Sequence, residues 1–175
     1  SRSDSLKYYS DYYFATGRAD AKDPFERKPR FWYGPMACGW IEQTAYRIKA
    51  NIARADCDMA YQPTYDHMLS ELRRRDLHPQ IIIIDDKWQT GYGSAVVNTE
   101  KWPDLRGWID ATLRDYNCRT MLWYKLWDRE ELPDDMTMDN GQGGRCVDPS
   151  NPKYREYIRE TMHRLLSSDE GCCNA

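Results

Sequence analysis

An excess of positive charge is missing from this 175-residue sequence: 25 Lys and Arg stand against 28 Asp and Glu, for a net charge of -3. That balance excludes the broad basic surface on which nucleic-acid binding depends. No apolar run approaches the roughly 20 residues of a membrane span, so no membrane partner is expected. The N-terminal segment lacks the short apolar core of a secretion signal, and nothing in it directs export; a leader removed in processing would leave the same picture. Histidine is scarce. His67 and His163 fall in helical stretches and His78 in a turn, with no Ser or Cys nucleophile paired to them, so a hydrolytic triad has no support. The six cysteines, Cys38, Cys57, Cys118, Cys146, Cys172 and Cys173, contain no C-x-x-C spacing, which argues against a zinc site. Cys38 and Cys118 lie in or beside strand-like runs and are expected as small buried hydrophobes. Gly141-Gln142-Gly143-Gly144 follows no strand and continues into no G-K-[ST] element, so it reads as a plain loop rather than a phosphate cradle. Neither a metal nor a cofactor is expected.

Phenylalanine is also rare, at three residues, whereas there are seven Trp and thirteen Tyr. Most of the aromatic surface therefore carries a hydrogen-bonding handle, which suits a wet cleft or a core of polar-tipped rings.

The most informative stretch is Gln80-Ile81-Ile82-Ile83-Ile84-Asp85-Asp86-Lys87-Trp88-Gln89. Four consecutive isoleucines with no alternating polar residue predict a strand buried on both faces, as in a parallel sheet. The run stops at two carboxylates and a tryptophan. Acidic groups where a buried strand emerges are placed to meet a ligand, because α/β sheets bind at the carboxyl ends of their strands. A cap for a following helix is the plainer use of such an Asp. A flat indole beside two acceptors favours sugar binding.

Around this strand the pattern alternates. Residues 5–16 carry Tyr8, Tyr9, Tyr12 and Tyr13 at helical spacing and stop at Gly17; 19–30 reads as an extended connector with Pro24 and Pro29. Residues 1–30 thus form a leader onto a domain spanning 31–175. Within that domain Pro35 to Trp40 predicts a short strand, 41–56 a helix in whole or part, and 64–75 a helix with Met68, Leu69 and Leu72 inward. Asp104 caps a predicted helix over 105–116, 119–125 predicts a third strand, and Asn151-Pro152 opens a last helix reaching about Leu166. Strands alternating with helices imply parallel crossovers, hence a doubly wound sheet or a (β/α)8 barrel, of which three units are present.

Taken in order, these segments resemble the amino-terminal part of the catalytic (β/α)8 barrel of the α-galactosidase and raffinose-synthase-like glycoside hydrolases. The likeness runs from about Pro35 onward. It rests on Cys38-Gly39-Trp40-Ile41-Glu42, Ile84-Asp85-Asp86-Lys87-Trp88-Gln89, Lys101-Trp102-Pro103-Asp104-Leu105-Arg106-Gly107, Leu122-Trp123-Tyr124-Lys125-Leu126-Trp127 and Val147-Asp148-Pro149-Ser150-Asn151-Pro152. There are departures: Lys87 replaces the family's usual Gly, bringing a cation toward the two Asp residues. Lys125-Leu126-Trp127 stands where galactosidases often have Glu-Pro-Glu.

The resemblance implies an α/β fold comprising the first three or so units of a TIM barrel. It implies a retaining α-glycosidase-like enzyme that hydrolyses or transfers α-glycosidic bonds. Its nucleophile and general acid would lie on later strands, so no catalytic residue is assigned within these residues. Retaining glycosidases need two carboxyl groups about 5–5.5 Å apart, and adjacent residues leaving a strand diverge. Asp85 and Asp86 are therefore assigned to holding sugar hydroxyls, with Lys87 beside them, Trp40 and Trp88 to the pocket wall, and Trp123, Lys125, Trp127 and Asp128 to the rim. Each of these Trp residues has a buried core ring as its alternative, and Lys125 an ion-paired surface role. The expected partners are an oligosaccharide or glycoside and the remainder of the barrel or another copy of the chain. The alternative is a non-catalytic carbohydrate-binding or structural fragment of the same fold.

Overall fold

The computed structural model describes residues 2–19 and 28–167, and the chain divides into two compact units, Ser1–Trp32 and Tyr33–Ala175. In the first unit, helix α1 (Arg2–Ala15) matches the tyrosine spacing, with the Tyr9 and Tyr13 rings 4.5 Å apart. It ends at Gly17, whose φ of +66° is the left-handed geometry that closes a helix, and Arg18 N–H reaches back to the Tyr13 carbonyl. The expected connector falls largely outside the described residues, as do Cys172 and Cys173.

The second unit is built on three parallel strands in the order β1-β2-β3: Met36–Cys38, Ile81–Ile84 and Arg119–Leu122. Between β1 and β2 run α2 (Trp40–Lys49), a 3-10 turn (Asp56–Met59) and α3 (Gln62–Arg74). Between β2 and β3 runs α4 (Leu105–Tyr116), and α5 (Pro152–Leu166) follows later. The cap residues behave as their chemistry predicts. The Asp104 carboxylate accepts from Gly107 N–H at 2.9 Å, and the Asn151 side chain accepts from Lys153 N–H ahead of a helix that begins at Pro152.

Strand alternation sorts the isoleucines. Ile82 and Ile84 are fully buried in one cluster with Met68 and Leu69 of α3, Trp108 and Ile109 of α4, and Leu165 of α5. Burying each contributes about 1.5–3 kcal/mol. Ile81 and Ile83 take the opposite face, in register with Met36 and Cys38 of β1 and with Arg119 and Met121 of β3. Ile81 is buried there, but Met36 and Met121 are exposed. The helices of this cluster thus cover one face of the sheet. Consecutive strands laid side by side by right-handed crossovers all turn the same way, which puts the crossover helices on one side.

Two expectations about strand ends need correction. The third strand ends at Leu122 instead of reaching Lys125. The first ends at Cys38, because Trp40 already begins α2. The glycine-rich stretch is the loop expected, and it closes a hairpin not evident in the sequence: β4 (Thr137–Asp139) pairs antiparallel with β5 (Arg145–Val147). Gly141 and Gly143 supply φ values of +72° and +77°, and the Asn140 side chain accepts from Gln142 and Gly144 N–H. With those amides satisfied inside the turn, they are not available to an anion.

Candidate functional site

The tip of β2 is gripped from both sides. Gly39 N–H, just past β1, donates to the Ile83 carbonyl, and Trp123 N–H, just past β3, donates to the Ile84 carbonyl. These bonds extend the sheet pairing by one residue and deliver Asp85 and Asp86 half-buried between two neighbouring strand ends. The two side chains diverge. Asp85 turns toward β1: its Oδ2 accepts from the Cys38 thiol at 2.9 Å, and its Oδ1 from Asp86 N–H at 2.7 Å. Burial and the Asp85 carboxylate push the Cys38 thiol above its ordinary range. Cys38 is exposed, not the buried hydrophobe that its strand position suggests, because it sits on the sheet face that the helices leave open.

Asp86 turns away from Cys38. Its Oδ1 is shielded from solvent and meets no hydrogen-bond donor, and the peptide that follows it is cis. Three residues on, Gln89 is 1% exposed and neither amide atom has a partner. Both groups belong to the stretch singled out in the sequence. Buried polar atoms are nearly always paired, so two orphans within four residues mark a place where the fold leaves bonds to be made.

The lysines do not point at this doublet. Lys87 Nζ lies 2.6 Å from Glu130 Oε2 and 4.5 Å from the Tyr92 ring centroid. Lys125 Nζ lies 2.7 Å from Asp128 Oδ2 and 4.3 Å from the same ring. Burial opposes ionisation of Asp128 and Glu130, but their lysine partners outweigh it and hold both carboxyls below the ordinary range. Lys87 therefore braces two loops through Glu130 and Tyr92.

The tryptophans separate into distinct environments. Trp88 has no exposed surface, and its indole N–H donates to the Trp123 carbonyl at 2.7 Å; it is core, which removes it from the pocket wall. Trp40 remains partly exposed where α2 begins, two residues after Cys38. Trp123 is half-buried with its ring edge-on to Tyr92, centroids 6.2 Å apart. Trp127 is 62% exposed and lines a different, apolar cavity of about 560 Å³ with Leu126, Met138, Tyr154 and Ile158. Neither Asp85 nor Asp86 lines that cavity.

Four residues that hold the site were not evident in the sequence. Tyr92 collects Lys87, Lys125 and Trp123 around its ring, and its N–H donates to Glu130 Oε2 at 3.0 Å. Burial, then the neighbouring Asp86 carboxylate, push its phenol well above the usual range. Lys101, nearly buried, donates to the Lys87 carbonyl at 2.8 Å from below the turn, and burial lowers its pKa. Gln43 and Tyr65, both fully buried, bond the backbone of the doublet. The signals were present as residues: a Gly-Tyr-Gly loop, a Lys before Trp102, a Gln inside a helix. Nothing local paired them with Asp85 or Asp86.

Compared with protein-family models and with curated proteins, the chain matches none.

Proposed function

We propose that this chain supplies the sugar-binding part of a retaining α-glycosidase-like enzyme that hydrolyses or transfers α-glycosidic bonds. In this reading its sheet is the opening segment of a (β/α)8 barrel, with nucleophile and general acid contributed from outside these residues. The observation that carries it is the acidic doublet at the tip of β2, between the tips of β1 and β3, with Asp86 Oδ1 buried and unpaired. A carboxylate accepting from ligand hydroxyls makes charge-assisted bonds roughly twice as strong as neutral ones. The divergence of Asp85 and Asp86 favours holding a ring over acting as an acid and nucleophile pair. The barrel is supported by consecutive strand order with the core helices on one face; a doubly wound sheet would carry helices on both.

The test is a titration of the chain with methyl α-glycosides of glucose, galactose and mannose, followed by amide resonances. Shifts at Asp85, Asp86 and Trp123 are expected with at least one sugar, and they disappear in Asp86→Ala. That variant should stay folded, since Asp86 Oδ1 has no donor to lose and the contact removed is the one with the Tyr92 phenol. No nitrophenyl α-glycoside should be turned over by these residues alone; measurable hydrolysis would place the nucleophile among them. Silence of those amides with all three sugars removes the carbohydrate reading.

A further inference from the structure

Behind the doublet lies a closed ring of hydrogen bonds. Asp85 N–H donates to the Tyr65 hydroxyl oxygen at 2.7 Å, that hydroxyl donates to Gln43 Oε1 at 2.8 Å, and Gln43 Nε2 donates to the Asp86 carbonyl at 2.6 Å. The circuit therefore starts and finishes on one dipeptide. The second Gln43 Nε2 proton goes to the Asp56 carbonyl at 3.0 Å, which ties in the 3-10 turn. Both Nε2 partners are carbonyls, which only accept, so the orientation of the amide is fixed by its surroundings.

The ring is dry and rigid. Gln43 and Tyr65 have no exposed surface, and they sit on different helices, α2 and α3. Tyr65 packs against Trp102 and Trp108 at centroid distances of 5.5 and 6.3 Å, which leaves its ring no room to swing. Burial pushes the phenol well above its usual range, and its hydroxyl donates to Gln43 Oε1. Hydrogen bonds in a dry closed chain polarise one another and outlast the same bonds taken singly. The ordinary expectation for a buried Gln and Tyr is mutual satisfaction within a core. Here their remaining bonds go to the two peptide groups that carry the acidic side chains.

We infer that Gln43 and Tyr65 are positioning residues: their hydrogen-bonded ring fixes the Asp85–Asp86 backbone so that both carboxylates are held ready for a ligand. The inference rests on the carbohydrate reading of the doublet. Neither residue touches the ligand; they act through the peptide they grip. Removing the Tyr65 hydroxyl frees Asp85 N–H and Gln43 Oε1 together, and the dipeptide then samples conformations in which the two carboxylates lose their fixed placement at the strand tip.

The test compares Tyr65→Phe and Gln43→Ala with Leu165→Ala, which empties core space on α5 and leaves the ring's groups untouched. Affinity for the methyl α-glycosides is read by amide titration at a temperature where every variant is fully folded. Both ring variants should bind about tenfold more weakly, equivalent to about 1.4 kcal/mol, while Leu165→Ala binds as the parent does. In the parent, hydrogen exchange at the Asp85 amide should be slow, and in Tyr65→Phe that amide proton should move upfield. Sugar binding that survives unchanged in a ring variant overturns the positioning role and leaves the carbohydrate reading standing. Rapid exchange at the parent's Asp85 amide overturns the ring itself, even if neither variant folds. A parent that binds none of the sugars overturns both.

Discussion

Gly39 is the residue whose enlargement the fold should tolerate least. A Cβ added there would stand 2.0 Å from the Tyr65 hydroxyl oxygen, 2.3 Å from Cζ and 2.6 Å from Cε1. Ordinary contact begins at 3.4 Å, so the ring must retreat by about 1.4 Å. Trp102 and Trp108 block that retreat, and any that occurs stretches the 2.7 Å and 2.8 Å bonds to Asp85 and Gln43 beyond hydrogen-bonding reach. Overpacking a dense core costs about 1–3 kcal/mol, and each buried group left unpaired about 1–3 kcal/mol more. Gly39→Ala should therefore destabilise the chain by about 4 kcal/mol, a large part of the 5–15 kcal/mol typical of a domain. The assay is urea unfolding followed by tryptophan fluorescence. With a slope of about 2 kcal/mol per M, the midpoint should fall by about 2 M at unchanged slope. A loss below about 1 kcal/mol would mean that the strand tip yields easily, and the rigidity ascribed to the ring behind the doublet would go with it.

Two other consequences can be measured. Burial pushes Cys118 up to about 11. Because the unfolded thiol ionises near 8.5, only the unfolded chain releases that proton between the two values. The Cys118 contribution to stability is therefore whole below about pH 8.5 and is lost as pH rises toward 11, by about 3 kcal/mol. Urea midpoints of the parent and Cys118→Ala, measured under reduction at pH 8 and pH 10.5, should converge at the higher pH; a constant gap refutes the burial argument. Trp88→Ala should cost about 3–5 kcal/mol by emptying a core site, whereas Trp40→Ala, at a half-open helix start, should cost under about 1 kcal/mol. Equal losses from the two would contradict the division between a core indole and a partly exposed one.

The parts of the fold legible in the sequence are those fixed by short-range periodicity. The isoleucine run gave its strand, and Asp104 and Asn151 marked the starts of α4 and α5. The hairpin escaped because its strands have three residues each, too few for alternation to register. The doublet was legible because acids after an apolar strand are conspicuous. Its supports were not: Tyr65 lies 22 residues from Gln43, and Glu130 lies 43 from Lys87, with no local pattern to link either pair. Cys38 was misjudged for a related reason, since which face of a strand is covered depends on helices far along the chain.

Because the core helices share one face of the sheet, the aliphatic frame and the polar apparatus at the strand ends are largely separate inventories. Ile82, Ile84, Leu69 and Ile109 hold the frame, and none of their side chains takes part in the hydrogen-bonded ring behind the doublet. Substitutions at exposed positions of segments 85–101 and 123–132 should then leave the folded frame standing. Two indoles of this region belong to the frame all the same: both rings are fully buried, with the Trp88 N–H donating to the Trp123 carbonyl and the Trp102 N–H to the Ala60 carbonyl.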